Sequence, residues 1–408
     1  VIAGACCVIT QSIQKSVKSP RLYKLEQWYE SDHSPSRNLA MEGLRGLAIL
    51  LVFLCHFQIV ILTHLAPGFQ SNLFKSGAEI GGTGVDLFFV LSGMLIYRAA
   101  MKPELHYGRF LLRRVQRIYP TFLAVLAFYL VLSRFLHVGE HYSVHGRLAT
   151  ISYVLTNVLL LPGLVDIPPI ISAAWSLSYE ISFYLAIPLL VRLLELRRWK
   201  PRTRAICWSS IIASYICFVL FRPEALPRYH YFDGSFVRFT MFLCGMLIEE
   251  SLNTGLAGRL LTPRMQALLL GAGAGSLALL FWSEMRTVTQ PEHNSPQHAA
   301  LRAALVLVIY LGLTATALCP AGVLNAFFSG KWLRWNGNIS YSTYLIHGFT
   351  LNVLAVAIVH MKWISRHPLI AAPLILLIAC SGTLITATAL FLAIEKPYSL
   401  RPRRIVSS

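Results

Sequence analysis

The sequence predicts an all-α integral membrane protein, a bundle of about ten transmembrane helices plus one short re-entrant or interfacial segment. Three observations predict it. Of the 408 residues, 55% are hydrophobic and only 13% are charged, well below the charge of an average soluble domain. The mean hydropathy is +0.58. Apolar runs recur along the chain at close to the length, about 20 residues, that a helix needs to cross a bilayer. The expected organisation is an N-terminal tail over 1–36, one membrane domain over 37–397 and a basic tail over 398–408.

In chain order the expected spans are 43–65, 81–100, 119–136, 174–194, 205–221, 235–251, 265–282, 300–318, 338–360 and 369–394. Each is an apolar run bounded by charged, Pro or Gly residues. The run 151–164 is too short to cross and ends at Pro162-Gly163, with Pro168 and Pro169 beyond, so it is expected to re-enter or lie at the interface. Charge supports this threading. The basic loops 98–117 and 192–204 both belong in the cytoplasm, which needs an even number of crossings between them. Both termini are then cytoplasmic. The stretch 109–117 is expected to be a basic surface helix. No cleavable leader is expected, because the first long apolar run begins near Gly43, and the start at Val1 suggests a longer N-terminus.

The net charge of +18 comes from 36 Lys and Arg against 18 Asp and Glu. In a soluble chain it would suggest a nucleic-acid partner. Here the basic residues flank apolar runs, as positive-inside topology requires, and no nucleic acid is expected. The eight Cys lie mostly inside apolar runs without metal-ligand spacing, so they are expected to pack, and no metal site is expected. Three tempting patterns carry little. Gly271, Gly273 and Gly275 lie within a span and suggest close helix packing, not a phosphate loop. His137, His141 and His145 are spaced by four, but Gly139 and Gly146 undermine a helix there. Cys55 adjoins His56 but points about 100° away from it on a helix.

Ionisable groups within spans are costly, and those present are functional candidates. Glu42, Arg45 and His56 share one face of the first span; Arg45 and His56 are separated by about 16.5 Å along the axis. An Arg at the interface suits a phosphate, and an imidazole deeper in suits removal of a hydroxyl proton. Arg45 equally fits a positive-inside anchor, and His56 a hydrogen-bonded core residue. Asp86 in the second span and Glu180 in the fourth lie about 7 and 9 Å from their outer ends, near the level of His56 at about 13 Å. Either carboxylate would fix the tautomer of His56, and either would also suit a pairing with Arg98 or Arg114. His347 stands near mid-membrane among hydroxyl residues as a second site group or a hydrogen-bonding node.

These residues fall in motifs that resemble acyltransferase family 3, integral-membrane O-acyltransferases that include O-antigen and exopolysaccharide acetylases. The likeness rests on Arg45 and His56 with ten residues between them; on Gly84-Val-Asp86-Leu-Phe-Phe-Val-Leu-Ser92-Gly93; and on Arg109-Phe-Leu-Leu-Arg113-Arg114-Val-Gln-Arg117. It continues through Trp175-Ser-Leu-Ser-Tyr-Glu180, Ile339-Ser-Tyr341-Ser-Thr-Tyr-Leu-Ile-His347 and Ile394-Glu395-Lys396-Pro397. The resemblance implies an acyl-CoA donor, most often acetyl-CoA, bound from the cytoplasm, and a glycan or glycolipid hydroxyl as acceptor on the outer side. It implies that Arg45, Arg113, Arg114 and Arg117 hold CoA phosphates and that His56, with Asp86 and Glu180, carries the chemistry. Glu42, Ser92, Trp175, Tyr341 and His347 are the expected substrate contacts. Outer-loop residues Tyr229, His230, Tyr231 and Phe232 offer faces for a sugar ring and fit an interfacial aromatic belt equally well. Some relatives carry an extra extracytoplasmic domain after the last span, so a separate partner there is also expected. A proton-coupled transporter using the same His, Asp and Glu groups is the alternative of another class.

Overall fold

The computed structural model describes residues 28–30, 38–62, 72–136, 146–165, 167–222, 235–253, 262–289, 295–320, 322–359, 361, 363 and 367–400. His137, His141, His145, Cys6, Cys7 and the aromatic stretch 229–232 lie outside the described residues. Residues from Leu39 onward form one unit of packed helices, and no strand occurs among the described residues.

Helix α1, Leu39–Phe57, continues into a π-helical turn, Gln58–Leu62. The second span is two helices, α2 (Asn72–Gly82) and α3 (Gly84–Ala100), interrupted at Thr83. The Thr83 hydroxyl donates to the Ile80 carbonyl at the break and is held by the Tyr310 hydroxyl at 2.7 Å. Helix α4, Tyr107–Leu136, is one rod of 30 residues. The expected separate surface helix at 109–117 is therefore its first turns, running unbroken through Pro120 into the span. Helix α5, Arg147–Val158, has 12 residues and measures about 18 Å, too short to cross. The chain then folds back, with Asn157 accepting from the Ile170 amide and Ser178 from the Gly163 amide.

The remaining helices are α6 (Trp175–Leu193), α7 (Pro201–Phe221), α8 (Phe239–Asn253), α9 (Pro263–Thr289), α10 (Pro296–Ala317), α11 (Val323–Phe328), α12 (Lys331–Asn338), α13 (Ser340–Val359) and α14 (Pro368–Leu390). A second π-helical stretch, Phe391–Leu400, extends α14. Among the described residues nine helices are long and apolar enough to cross a membrane. The tenth expected span, 235–251, is α8 with a 3-10 turn before it; α8 has 15 residues and is buried along most of its length. The protein is a multi-pass membrane protein.

Helices α1, α3, α6, α8 and α13 make the interior, whereas α7 and α9 turn most of their surface outward. Glycine permits the closest contacts. A Cβ on Gly93 would lie 2.2 Å from the Phe242 carbonyl oxygen, and one on Gly245 would lie 2.0 Å from that of Val90, so α3 and α8 meet backbone to backbone. The glycine run of α9 is less engaged than expected: Gly273 faces Ile309 of α10, while nothing lies within 4 Å of a Cβ on Gly271 or Gly275. Of the cysteines described, Cys55 and Cys244 are buried in packing, whereas Cys217 and Cys380 are exposed.

One end of α3 is tied by ion pairs. Arg98 makes two bonds to Glu249, at 2.7 and 2.8 Å, and Arg204 makes two to Glu250, at 2.6 and 2.9 Å. The Tyr97 hydroxyl also donates to Glu250. Arg204 is buried, so removing its partner strands a cation. The expected result for Glu250→Ala is a loss of about 3–5 kcal/mol, read as a lower melting temperature in detergent. An unchanged melting temperature would show that the pair does not support the fold.

Candidate active site

Helices α1, α3, α4, α6 and α13 enclose a cavity of about 140 Å³. Along α3 it runs from Val85 to Ile96, which spans about 16.5 Å of helix. Its lining is in part apolar, with Phe89, Leu91, Leu95, Ile118 and Leu177, and in part polar, with Arg45, Ser92, Arg114, Arg117, Glu180 and Tyr341. Six residues expected from sequence to act in a site therefore line one cavity.

Each polar group is held by a neighbour. Arg45 donates to Ser340 Oγ at 3.1 Å. The Arg114 guanidinium lies over the rings of Phe110 and Tyr184, at 5.2 and 5.4 Å. Arg117 pairs at 3.0 Å with Glu395, a carboxylate with no solvent exposure. Glu180 accepts from Ser92 Oγ at 2.8 Å and from the Tyr184 hydroxyl, and the Tyr341 hydroxyl donates to the Ile118 carbonyl at 2.9 Å. Three guanidinium groups and one carboxylate thus line the cavity, an excess of positive charge that attracts anions and suits phosphate oxygens. Among the described residues no cluster of three or more His, Cys, Asp or Glu could hold a metal ion.

Neither His56 nor His347 lines this cavity. The shared face of Arg45 and His56 implies one continuous channel, and the structure instead sets an aromatic wall between them. Tyr344 and Phe88 line the cavity and meet edge to face at 6.1 Å. The Tyr344 hydroxyl donates to the Ala173 carbonyl at 2.7 Å, which leaves it to accept from Ser176 Oγ at 2.6 Å. One helical turn beyond, the Tyr344 and His347 rings are 6.0 Å apart, and His347 meets His56 edge to face at 4.7 Å.

The structure also corrects the expected partner of His56, which is His347 and not a carboxylate. Asp86 lies 3.7 Å from Arg238, whose guanidinium stacks over Trp175 at 5.4 Å. Glu180 is engaged by Ser92 and Tyr184. Arg98 and Arg114 take neither acid, for Arg98 is bound to Glu249. Four further expected contacts stand outside the cavity: Asp86, Trp175, Glu42, which pairs with Arg334 at 3.4 Å, and Arg113, which is exposed. Sequence reasoning missed Ser176, Tyr184, Ser340 and Tyr344 in the wall and Glu395 behind it. Ser340, Tyr344 and His347 fall at i, i+4 and i+7, a stripe on one helix face that could have singled out Tyr344.

A family profile described as an acyltransferase domain matches residues 38–392. The chain is 26% identical over 335 residues to the peptidoglycan O-acetyltransferase OatA of Listeria monocytogenes, covering 78% of this chain and 49% of that protein. It is 25% identical over 330 residues to the exopolysaccharide production protein ExoZ of Rhizobium meliloti, covering 79% and 91%. It is 26% identical over 324 residues to the acyltransferase MdmB of Streptomyces mycarofaciens, covering 76% and 77%. The chain thus spans about half the length of the Listeria protein. No solved structure matches.

Proposed function

Because this chain belongs to the acyltransferase domain family, which it matches over residues 38–392, we propose that it is a membrane O-acyltransferase. It moves an acyl group, acetyl in the first instance, from acyl-CoA on the cytoplasmic side of a bacterial inner membrane to a hydroxyl of an extracytoplasmic or lipid-linked glycan. The observation that carries this reading is the cavity with three guanidinium groups whose far wall stands one helical turn from paired imidazoles. The printed names of OatA and ExoZ, peptidoglycan O-acetyltransferase and exopolysaccharide production protein, favour an envelope glycan as acceptor.

In this reading Arg45, Arg114 and Arg117 hold the phosphates of CoA, and the pantetheine arm lies along α3 against Phe89 and Leu91. The thioester then reaches Tyr344, whose ring must turn aside for the acyl carbon to meet the acceptor near His56. The acceptor oxygen bonds to the acyl carbon as His56 takes the hydroxyl proton. The carbon–sulfur bond breaks, and the thiolate recovers the proton to leave as the free thiol. No carboxylate of Asp86 or Glu180 is needed at the reacting atoms; Glu180 instead holds Ser92 and Tyr184 in the cavity wall.

The test is acetyl transfer by the purified chain, followed as thiol release from acetyl-CoA and as mass gain of one acetyl unit on envelope glycans from cells that carry the gene. Cells with and without it giving identical glycans would overturn the reading. Arg114→Ala and Arg117→Ala are each expected to raise KM for acetyl-CoA by about 10-fold, the worth of one charge-assisted hydrogen bond. The same change at Arg113, outside the cavity, is expected to leave KM unaltered.

A further inference from the structure

His56 and His347 are held in the same way by their own helices. Nδ1 of His56 lies 2.9 Å from the Val52 carbonyl oxygen, and Nδ1 of His347 lies 3.1 Å from that of Thr343. A carbonyl oxygen has only lone pairs to offer, so Nδ1 carries the hydrogen in both rings and Nε2 carries the lone pair. The rings meet edge to face, with centroids 4.7 Å apart and planes at 76°. His347 has no solvent exposure, and its Nε2 has no hydrogen-bond partner.

An acceptor buried without a partner is costly, and its surroundings do not supply one. The hydroxyl of Tyr344, whose ring lies 6.0 Å from that of His347, is committed to Ala173 and Ser176, and that of Thr350 to the His347 carbonyl. The helices that carry the two rings otherwise contribute to an apolar cluster that includes Phe53, Phe57 and Leu351. The titratable ring packed against His347 is that of His56, and a proton on its Nε2 would be the donor that the vacant acceptor lacks.

We propose that His56 and His347 act as a single base: the proton drawn from the acceptor hydroxyl is held between the Nε2 atoms of the two rings until the departing thiolate takes it. This rests on the acyl-transfer reading above. One positive charge spread over two imidazoles needs no carboxylate beside it, in keeping with the engagement of Asp86 and Glu180 elsewhere. No oxidant or further reactant enters; the hydroxyl loses the proton and the thiolate gains it.

The test is a proton inventory on the purified full-length protein, with thiol release from acetyl-CoA measured in mixtures of H2O and D2O and N-acetylglucosamine oligomers as acceptor. The wild type should give a curved plot, two protons moving in the rate-limiting step. His347→Asn keeps a donor for the Thr343 carbonyl and lacks the lone pair at Nε2. It should lower kcat by about 100-fold, leave KM for acetyl-CoA within about twofold and straighten the plot. If the Asn variant does not fold, His347→Gln, which is closer in length, takes its place. A straight plot for the wild type overturns the shared proton whatever the variants do. So does a folded variant with wild-type kcat and curvature. In both cases acyl transfer itself stands. A wild type that releases no thiol overturns the acyl-transfer reading and this inference with it.

Discussion

Replacing His56 by alanine is expected to lower kcat for acetyl transfer by about 10²- to 10⁴-fold, the worth of a positioned general base, while KM for acetyl-CoA changes little. The separation follows from the geometry. The guanidinium groups that would grip the donor lie in the cavity with Arg45, Arg114 and Arg117, whereas His56 stands beyond the Tyr344 wall. The fold should tolerate the change, because the hydrogen bond of the His56 side chain runs to Val52 of its own helix and the ring is only half-buried. A variant with unaltered melting temperature and full thiol release would move the base elsewhere, first to His347. Transport of a solute without thiol release, altered by the same substitution, would favour a proton-coupled transporter instead.

The spans were legible in the sequence because length and apolarity alone set them. So was the stripe from Arg45 to His56, since helical pitch fixes the angle between residues of one helix. What pitch does not fix is how helices are rotated against one another. In a membrane both faces of a span can be apolar, so no polar face marks the outside. That is why Asp86 and Glu180 could be placed at the level of His56 and yet turn to Arg238 and to Ser92. It is also why Arg113 could not be separated from Arg114 and Arg117 until α4 was docked. The break at Thr83 was hidden for another reason: the Thr83 hydroxyl, which bonds to the Ile80 carbonyl at the break, is held by a tertiary partner, Tyr310, which no local pattern announces.

Replacing Glu395 is expected to weaken both the fold and the hold on the donor, although the residue stands outside the cavity. It sits in the π-helical extension of α14, with no solvent exposure. One carboxylate oxygen accepts from both the Ser342 amide, at 3.1 Å, and the Ser342 hydroxyl, at 2.6 Å. The Ser342 amide belongs to the first turn of α13, where amides lack partners within the helix, and a negative charge there is favoured by the helix dipole. The other oxygen faces Arg117 at 3.0 Å. A single buried side chain thus anchors the start of the helix that carries Ser340, Tyr344 and His347, and aims a cavity guanidinium. Glu395→Ala strands both and should cost about 3–5 kcal/mol of stability, seen as a lower melting temperature. Glu395→Gln keeps the volume and can still accept from Ser342, so it should fold while raising KM for acetyl-CoA by about 10-fold. Because Glu395 acts on the donor through Arg117, the increases for Glu395→Gln and Arg117→Ala should not multiply in the double variant. Fully multiplying effects would mean that Glu395 acts on the donor independently of Arg117.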